Sequence, residues 1–460
     1  MKPDTPAATP TCSDAAYYAL AAGVGLASGL VGAVFHAAVD AVSAWPHLVA
    51  ARLEGPALYL VLSVVAAAMV AGAVALVRAF APEAAGSGVQ EIEGALEGLR
   101  PVRWRRILPV KFAGGLMALG SGLVAGREGP TIHMGAAIAK AVWERTGLGT
   151  RDGRGLLAAG AAAGLAAAFN APLAAILFVI EETRRQFPYG LRTYSAVIIA
   201  SVASAVMAEA IGGTGPDMRM SVPQMPLLLL PAFIALGAVL GGVGVLFNRA
   251  LVASLDAARA LALSVSPYLL PVLVGMAVGP LLVLRPEATF GGELLAVSLP
   301  GLGLPALTLA GIVAIRFVMT MASYSTGIPG GIFAPILALA TAVGVLFATL
   351  LGAALPASLL PEGAVAAFGV AAMGGLFSAT VRAPLVGMVL VAELTGAYDL
   401  LVPVILTCVT ANLVADRLGG APIYEVLLDR TLRLAGTPRA TPAAEEQIGG
   451  WDERERRTGA

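Results

Sequence analysis

Thirteen apolar stretches follow one another along the chain, at residues 15–43, 57–80, 107–125, 131–143, 155–180, 193–213, 226–250, 268–285, 304–322, 332–354, 363–379, 384–396 and 400–416. A helix needs about 20 apolar residues to cross a hydrocarbon core of roughly 30 Å. The longer stretches therefore predict membrane-crossing helices, and the shorter ones do not cross alone. Two runs are broken from within. The stretch 155–180 carries no charge yet is interrupted at Asn170-Ala171-Pro172, and Gly331 to Pro335 interrupts another. Such breaks free backbone N–H and C=O groups that lipid cannot satisfy. Broken helices at membrane depth are best explained when they line a polar site inside the protein, which points to a transporter or channel.

An internal repeat agrees with this. Asn170-Ala171-Pro172-Leu173 through Glu181-Glu182-Thr183 realigns with Arg382-Ala383-Pro384-Leu385 through Glu393-Leu394-Thr395 at about six of fourteen positions. The pattern leaves the relative orientation of the two copies open. It divides the chain into a polar leader (1–14), a first membrane repeat (15–216), a connecting loop (217–226), a second membrane repeat (227–432) and a polar, low-complexity tail (433–460) read as disordered. The leader does not read as a signal peptide, because the apolar stretch after it is too long and no cleavage pattern closes it. The densest basic cluster in a short loop, Arg100, Arg103, Arg105 and Arg106, is expected on the cytoplasmic side, with Arg184 and Arg185 near the same face.

Composition changes the picture only by what it excludes. Of the 460 residues 58% are hydrophobic and 13% charged, about half the charge of an ordinary soluble domain. Mean hydropathy is +0.84, so no soluble globular fold fits. The 29 basic and 29 acidic residues cancel, and no global field draws in nucleic acid. Cys12 and Cys408 make no disulfide framework, and His36, His47 and His133 are scattered. Neither a metal site nor any other cofactor is expected.

A path for a small anion through a bilayer needs partial positive charge and binding weak enough to release, which helix N-termini and free backbone N–H groups supply. Three Gly-rich helix starts qualify: Gly86-Ser87-Gly88-Val89-Gln90, Gly126-Arg127-Glu128-Gly129-Pro130 and Gly331-Ile332-Phe333-Ala334-Pro335. Glu128 is an intramembrane carboxylate, functional by default. At a helix N-terminus it competes with an anion for the same donors, and protonation removes its claim on them. Plainer readings stand beside these. Ser87 with Gln90 fits a capping box, Glu128 fits a helix start partnered by Arg127, Glu181 and Glu182 with Arg184 and Arg185 fit an interfacial ion-pair cluster, and Tyr424 fits an aromatic belt. His133 reads as a packing residue, and Lys111, Arg316 and Arg382 as structural charges without an assigned role. An intramembrane enzyme would have to pair Ser87 or Ser121 with His133, which nothing beyond residue type supports, so no enzymatic activity is expected.

In their order and spacing over roughly residues 15–430, Gly86-Ser87-Gly88 with Glu91-Ile92-Glu93-Gly94, Gly126-Arg127-Glu128-Gly129-Pro130, Gly331-Ile332-Phe333-Ala334-Pro335 and Tyr424 resemble the CLC family of chloride channels and chloride/proton antiporters. The stretch Ala161 to Pro172 and the Glu181-Glu182 pair look like those of its bacterial antiporters. The resemblance implies an all-α polytopic fold with two inverted-topology repeats and broken, partly re-entrant helices. It implies a homodimer with one pathway per subunit, in a bacterial inner membrane with both termini cytoplasmic. Ser87 and Tyr424 would offer hydroxyls to chloride, and Ile332 and Phe333 their backbone amides. Glu128 would be the gating glutamate and Glu182 the internal proton relay. Chloride and protons would be the substrates, with a passive chloride channel as the alternative. One position departs from the family pattern, Gln90, where a proline is common. Regulation through paired nucleotide-binding domains, which many eukaryotic members carry, is not expected.

Overall fold

The computed structural model describes residues 12–183, 190–213, 218–220, 222–356 and 359–437. The expectations for most of the leader, for Arg184 and Arg185, for Asp217 and Ser221 of the connecting loop and for the tail beyond residue 437 fall outside these residues. The first half holds α1 (Asp14–Ser43), α2 (Trp45–Ala50), α3 (Gly55–Phe80), α4 (Val89–Glu97), α5 (Trp104–Gly120), α6 (Glu128–Thr146), α7 (Thr150–Phe169), α8 (Pro172–Thr183) and α9 (Leu191–Gly212). The second holds α10 (Leu230–Ser264), α11 (Leu269–Leu284), α12 (Glu293–Ser298), α13 (Ala306–Ser325), α14 (Phe333–Ala354), α15 (Ala364–Val381), α16 (Pro384–Thr395), α17 (Leu401–Arg417) and α18 (Ile423–Leu434). Among the described residues eight helical stretches are long and apolar enough to cross a membrane. The fold is all-α.

The second half repeats the first, inverted. Pro82–Ala84 and Pro286–Ala288 form equivalent short 3-10 turns of sequence Pro-Glu-Ala after α3 and α11. α4 and α12 then start from left-handed Gly88 and Gly292. α7 and α15 both end on a non-glycine residue in the left-handed region, Asn170 and Arg382, the first residues of the sequence repeat. Each polar, left-handed C-cap stops one helix and an Ala-Pro step starts the next.

The orientation that the pattern left open follows from two carboxylates. Glu393, at the end of α16, accepts hydrogen bonds from the N–H groups of Leu173 (3.1 Å) and Ala174 (2.6 Å) at the start of α8. Glu181, its counterpart near the end of α8, accepts from the N–H of Val386 in α16 (3.0 Å). Each helix thus caps the other with its repeat-equivalent glutamate, which two neighbouring helices can do only when antiparallel. Glu393→Ala is expected to lower stability by about 1–2 kcal/mol, the ordinary cost of a lost N-cap. A fall in the melting temperature of the purified protein checks it.

α7 and α15 form the centre, with Leu156 to Phe169 and Ala367 to Val381 buried. Ala and Gly dominate both, so neighbouring helices approach closely. The apolar runs misplaced some elements. The stretch 107–125 is helical only to Gly120, because the chain turns at Ser121 and left-handed Gly122 and leads on to the site described below. α4, α12 and α18 escaped hydropathy because they are short and carry charges, yet α4 and α18 bury their apolar faces in protein.

Candidate functional site

Three loops are stitched together by main-chain hydrogen bonds. The Gly86 N–H donates to the Ile328 carbonyl (2.8 Å) and the Gly330 N–H to the Gly86 carbonyl (3.1 Å). Gly126 and Gly331 exchange a pair at 2.8 and 2.7 Å. These loops lead into α4, α6 and α14, so the pairing brings three helix N-termini to one place. The first-turn N–H groups of a helix have no partner within it, and three such ends add their partial positive charge at a common point. Ile332 is the N-cap of α14 and Phe333 its first residue, both buried.

Two hydroxyls face this point. Ser87 is buried and its Oγ makes no hydrogen bond. The capping-box reading is set aside, since the N-cap of α4 is Gly88 and no side chain caps the helix. The Ser87 backbone is held on both sides. Its N–H donates to the Tyr324 hydroxyl (3.3 Å), and the Lys111 ammonium donates to the carbonyls of Gly86 (2.7 Å) and Ser87 (3.1 Å). With its carbonyls turned to Lys111, the loop is left to present donors. Tyr424, second residue of α18, is fully buried rather than at a membrane surface, which removes the aromatic-belt reading. Its ring packs against Phe333 (centroids 5.9 Å apart) and Phe178 (6.4 Å). Its phenol approaches the Ser87 hydroxyl, but neither group completes a hydrogen bond. Buried hydroxyls are ordinarily paired, so two unpaired ones side by side mark a place built for a polar guest.

Glu128 is the first residue of α6 and wholly buried. The N–H groups of Glu128 itself and of Ala334 in α14 lie near its carboxylate, yet neither oxygen completes a hydrogen bond. A Cβ built on Gly331 would stand 3.0 Å from its Oε2, so the glycine leaves the carboxylate room against the backbone. Arg127 turns to the Ala168 carbonyl (3.2 Å), to His36 and to Glu293 (3.8 Å). Glu128 thus sits among donors without being locked to any.

Glu182 lies apart from this cluster, near the end of α8. With Glu181, Arg382, Asn412, Asp416 and Glu425 it lines an open cavity of about 330 Å³. α18 connects the two places, because Tyr424 at its start lies within electrostatic reach of both Glu128 and Glu182.

Lys111, Arg316 and Arg382, read in the sequence as structural charges without an assigned role, each serve backbone carbonyls, whereas Tyr324 was missed. Lys111 and Arg316 are repeat counterparts, each fully buried on the helix after its loop. The Arg316 guanidinium donates to the carbonyls of Thr289 (2.9 Å), Phe290 (3.2 Å) and Gly291 (2.5 Å) ahead of α12. Arg382 likewise serves a helix end, donating to the Asn412 carbonyl (2.6 Å) and pairing with Asp416 (2.6 Å). The apolar surroundings of these cations were the available signal, since an intramembrane charge needs a partner. His133 is buried, its ring beside Gly88.

A family model described as voltage gated chloride channel matches residues 67–416. The H(+)/Cl(-) exchange transporter ClcA of Vibrio parahaemolyticus is 44% identical over 422 residues, covering 90% of this chain and 89% of its own. ClcA of Citrobacter koseri is 41% identical over 442 residues, covering 93% and 91%. Among solved structures, a slow cyanobacterial Cl-/H+ antiporter superposes with a TM-score of 0.87 at 36% identity, covering 92% of this chain and 99% of that one.

Proposed function

The chain belongs to the voltage gated chloride channel (CLC) family and is a multi-pass membrane protein, and from that premise we propose that it exchanges chloride for protons across the membrane. The observation that carries this reading is the buried Glu128 carboxylate at a helix N-terminus, beside two buried hydroxyls without partners. Chloride, partly dehydrated, takes the Ser87 and Tyr424 hydroxyls and the amides of Ile332 and Phe333. These are neutral donors, strong enough to replace water and weak enough to release the ion. Ionised Glu128 claims the same positive field, so anion and carboxylate exclude one another. A proton on Glu128 removes its charge and opens the site. Proton uptake and anion entry are therefore linked.

Coupled exchange also needs a proton route that leaves the anion route, and Glu182 supplies its far end. Its cavity admits water, and Tyr424 stands between it and the anion cluster. Glu181 is committed to capping α16, which leaves Glu182 as the relay of the pair. The positive-inside rule places the arginine loop at 100–106, and with it the Glu182 side, in the cytoplasm of a bacterial cell. The resemblance to the family adds a homodimer with one pathway per subunit to the proposal.

The test is purified protein in liposomes under an imposed chloride gradient, with both ions recorded together. Exchange gives protons moving uphill, driven by chloride. Glu182→Gln is expected to stop proton movement while chloride still passes. Chloride flux without uphill protons in the unmodified protein identifies a passive chloride channel instead.

A further inference from the structure

A second polar cavity, of about 760 Å³, lies where α5 begins and α6 ends. Six cations line it: Arg100, Arg103, Arg105, Arg106, Lys140 and Arg154. Glu144 is the one carboxylate among its lining residues, and it is engaged, accepting from the Trp104 indole N–H (2.8 Å) and pairing with Lys140 (3.6 Å). Arg100 is held by Glu91 (2.8 Å) and Arg103 lies 3.9 Å from Glu83. Arg105, Arg106 and Arg154 have no carboxylate within ion-pair distance among the described residues. The cavity thus carries an uncompensated excess of guanidinium.

Its walls are fixed. Both indole N–H groups are spent, that of Trp104 on Glu144 and that of Trp143 on the Leu148 carbonyl (2.9 Å). The Lys140 ammonium sits 3.8 Å over the Trp143 ring, and the Arg105 guanidinium 5.1 Å over that of Trp104. Tryptophan beside arginine is the composition of a membrane–water interface, and from here α5 runs on into apolar sequence.

We propose that this cavity binds a phosphate group carried by a larger molecule, that of an anionic phospholipid in the adjoining leaflet or of a soluble polyphosphate. The volume far exceeds a halide ion. Several guanidinium forks converging on one space match phosphate oxygens bidentately, which isolated ammonium groups do not. The position at the membrane surface brings lipid headgroups within reach of the same groups. No part of this depends on the transport cycle.

The experiment uses the full-length protein in detergent micelles. Phosphatidylglycerol binding is read by native mass spectrometry, and pyrophosphate binding by the rise in melting temperature. Arg106→Gln combined with Arg154→Gln is compared with a control of equal charge change at exposed sites elsewhere, Arg52→Gln with Arg259→Gln. Apparent affinity for at least one probe is expected to fall about tenfold or more in the cavity variant, against less than about twofold in the control. A fall for phosphatidylglycerol alone identifies the lipid, and a fall for pyrophosphate alone identifies the soluble source. Equal affinities in both variants, or equal losses, overturn the proposal. Arg105→Gln, on an exposed side chain, repeats the test if the double variant elutes as aggregate.

Discussion

Replacing Glu128 by glutamine is expected to stop proton movement while chloride continues to pass. Glutamine keeps the size of the side chain and its place at the start of α6, but it carries neither the charge that competes for the convergent helix ends nor a titratable proton. In the unmodified protein, falling pH protonates Glu128 and frees those donors, so chloride turnover rises as pH falls. In Glu128→Gln that dependence on pH disappears. Parallel recordings of chloride and proton flux across a pH series check both statements. Persistent uphill proton transport in the variant would assign the gate to another residue.

Gly129→Ala should do the opposite kind of damage and stop both ions together. A Cβ on Gly129 would stand 2.7 Å from the Ser87 Cα and 2.8 Å from its carbonyl and hydroxyl oxygens. Two of these three atoms are backbone, and the Ser87 loop cannot retreat. It is tied by the Gly86 pairs, by Tyr324 and by Lys111. Overpacking of this sort costs roughly 1–3 kcal/mol, which a folded variant survives with Ser87 displaced from the other proposed chloride donors. Unchanged elution on size exclusion with chloride and proton fluxes both lost is the expected pair of results. Loss of proton flux alone would mean that α6 and the Ser87 loop are less closely set than the contact implies.

The contrast between these variants follows from which parts of the site were legible beforehand. The Gly-rich helix starts could be read because their chemistry lies in the main chain. Glycine lets backbone donors approach, proline opens the next helix, and the residues stand together in sequence. Ser87, Glu128, Ile332 and Phe333 stood out as members of such starts, while the roles proposed for Ser87, Ile332 and Phe333, and Tyr424 altogether, came from family resemblance. Tyr324 gave no signal, and Lys111 and Arg316 gave only that of a charge in apolar sequence, which names no target. Lys111 and Tyr324 serve the Ser87 loop from 24 and 237 positions away, and what they hold is backbone, which has no sequence of its own. The repeat was legible as similarity and its inversion was not. Orientation is decided by Glu181 and Glu393, whose reach across to the opposite helix depends on packing. Apolar runs located the long helices and passed over α4 and α18, which shape the site, because helices buried in protein need no lipid-facing length.

The most direct test of exchange reverses the driving force. Unmodified protein is placed in liposomes with equal chloride and equal potassium on both sides and valinomycin to carry the compensating charge, a proton gradient is imposed and internal chloride is followed. Exchange predicts that chloride accumulates on the side from which protons leave, against its own rising gradient, until the two gradients balance. Chloride that stays level whatever the proton gradient, yet flows freely down a gradient of its own, would contradict coupled exchange.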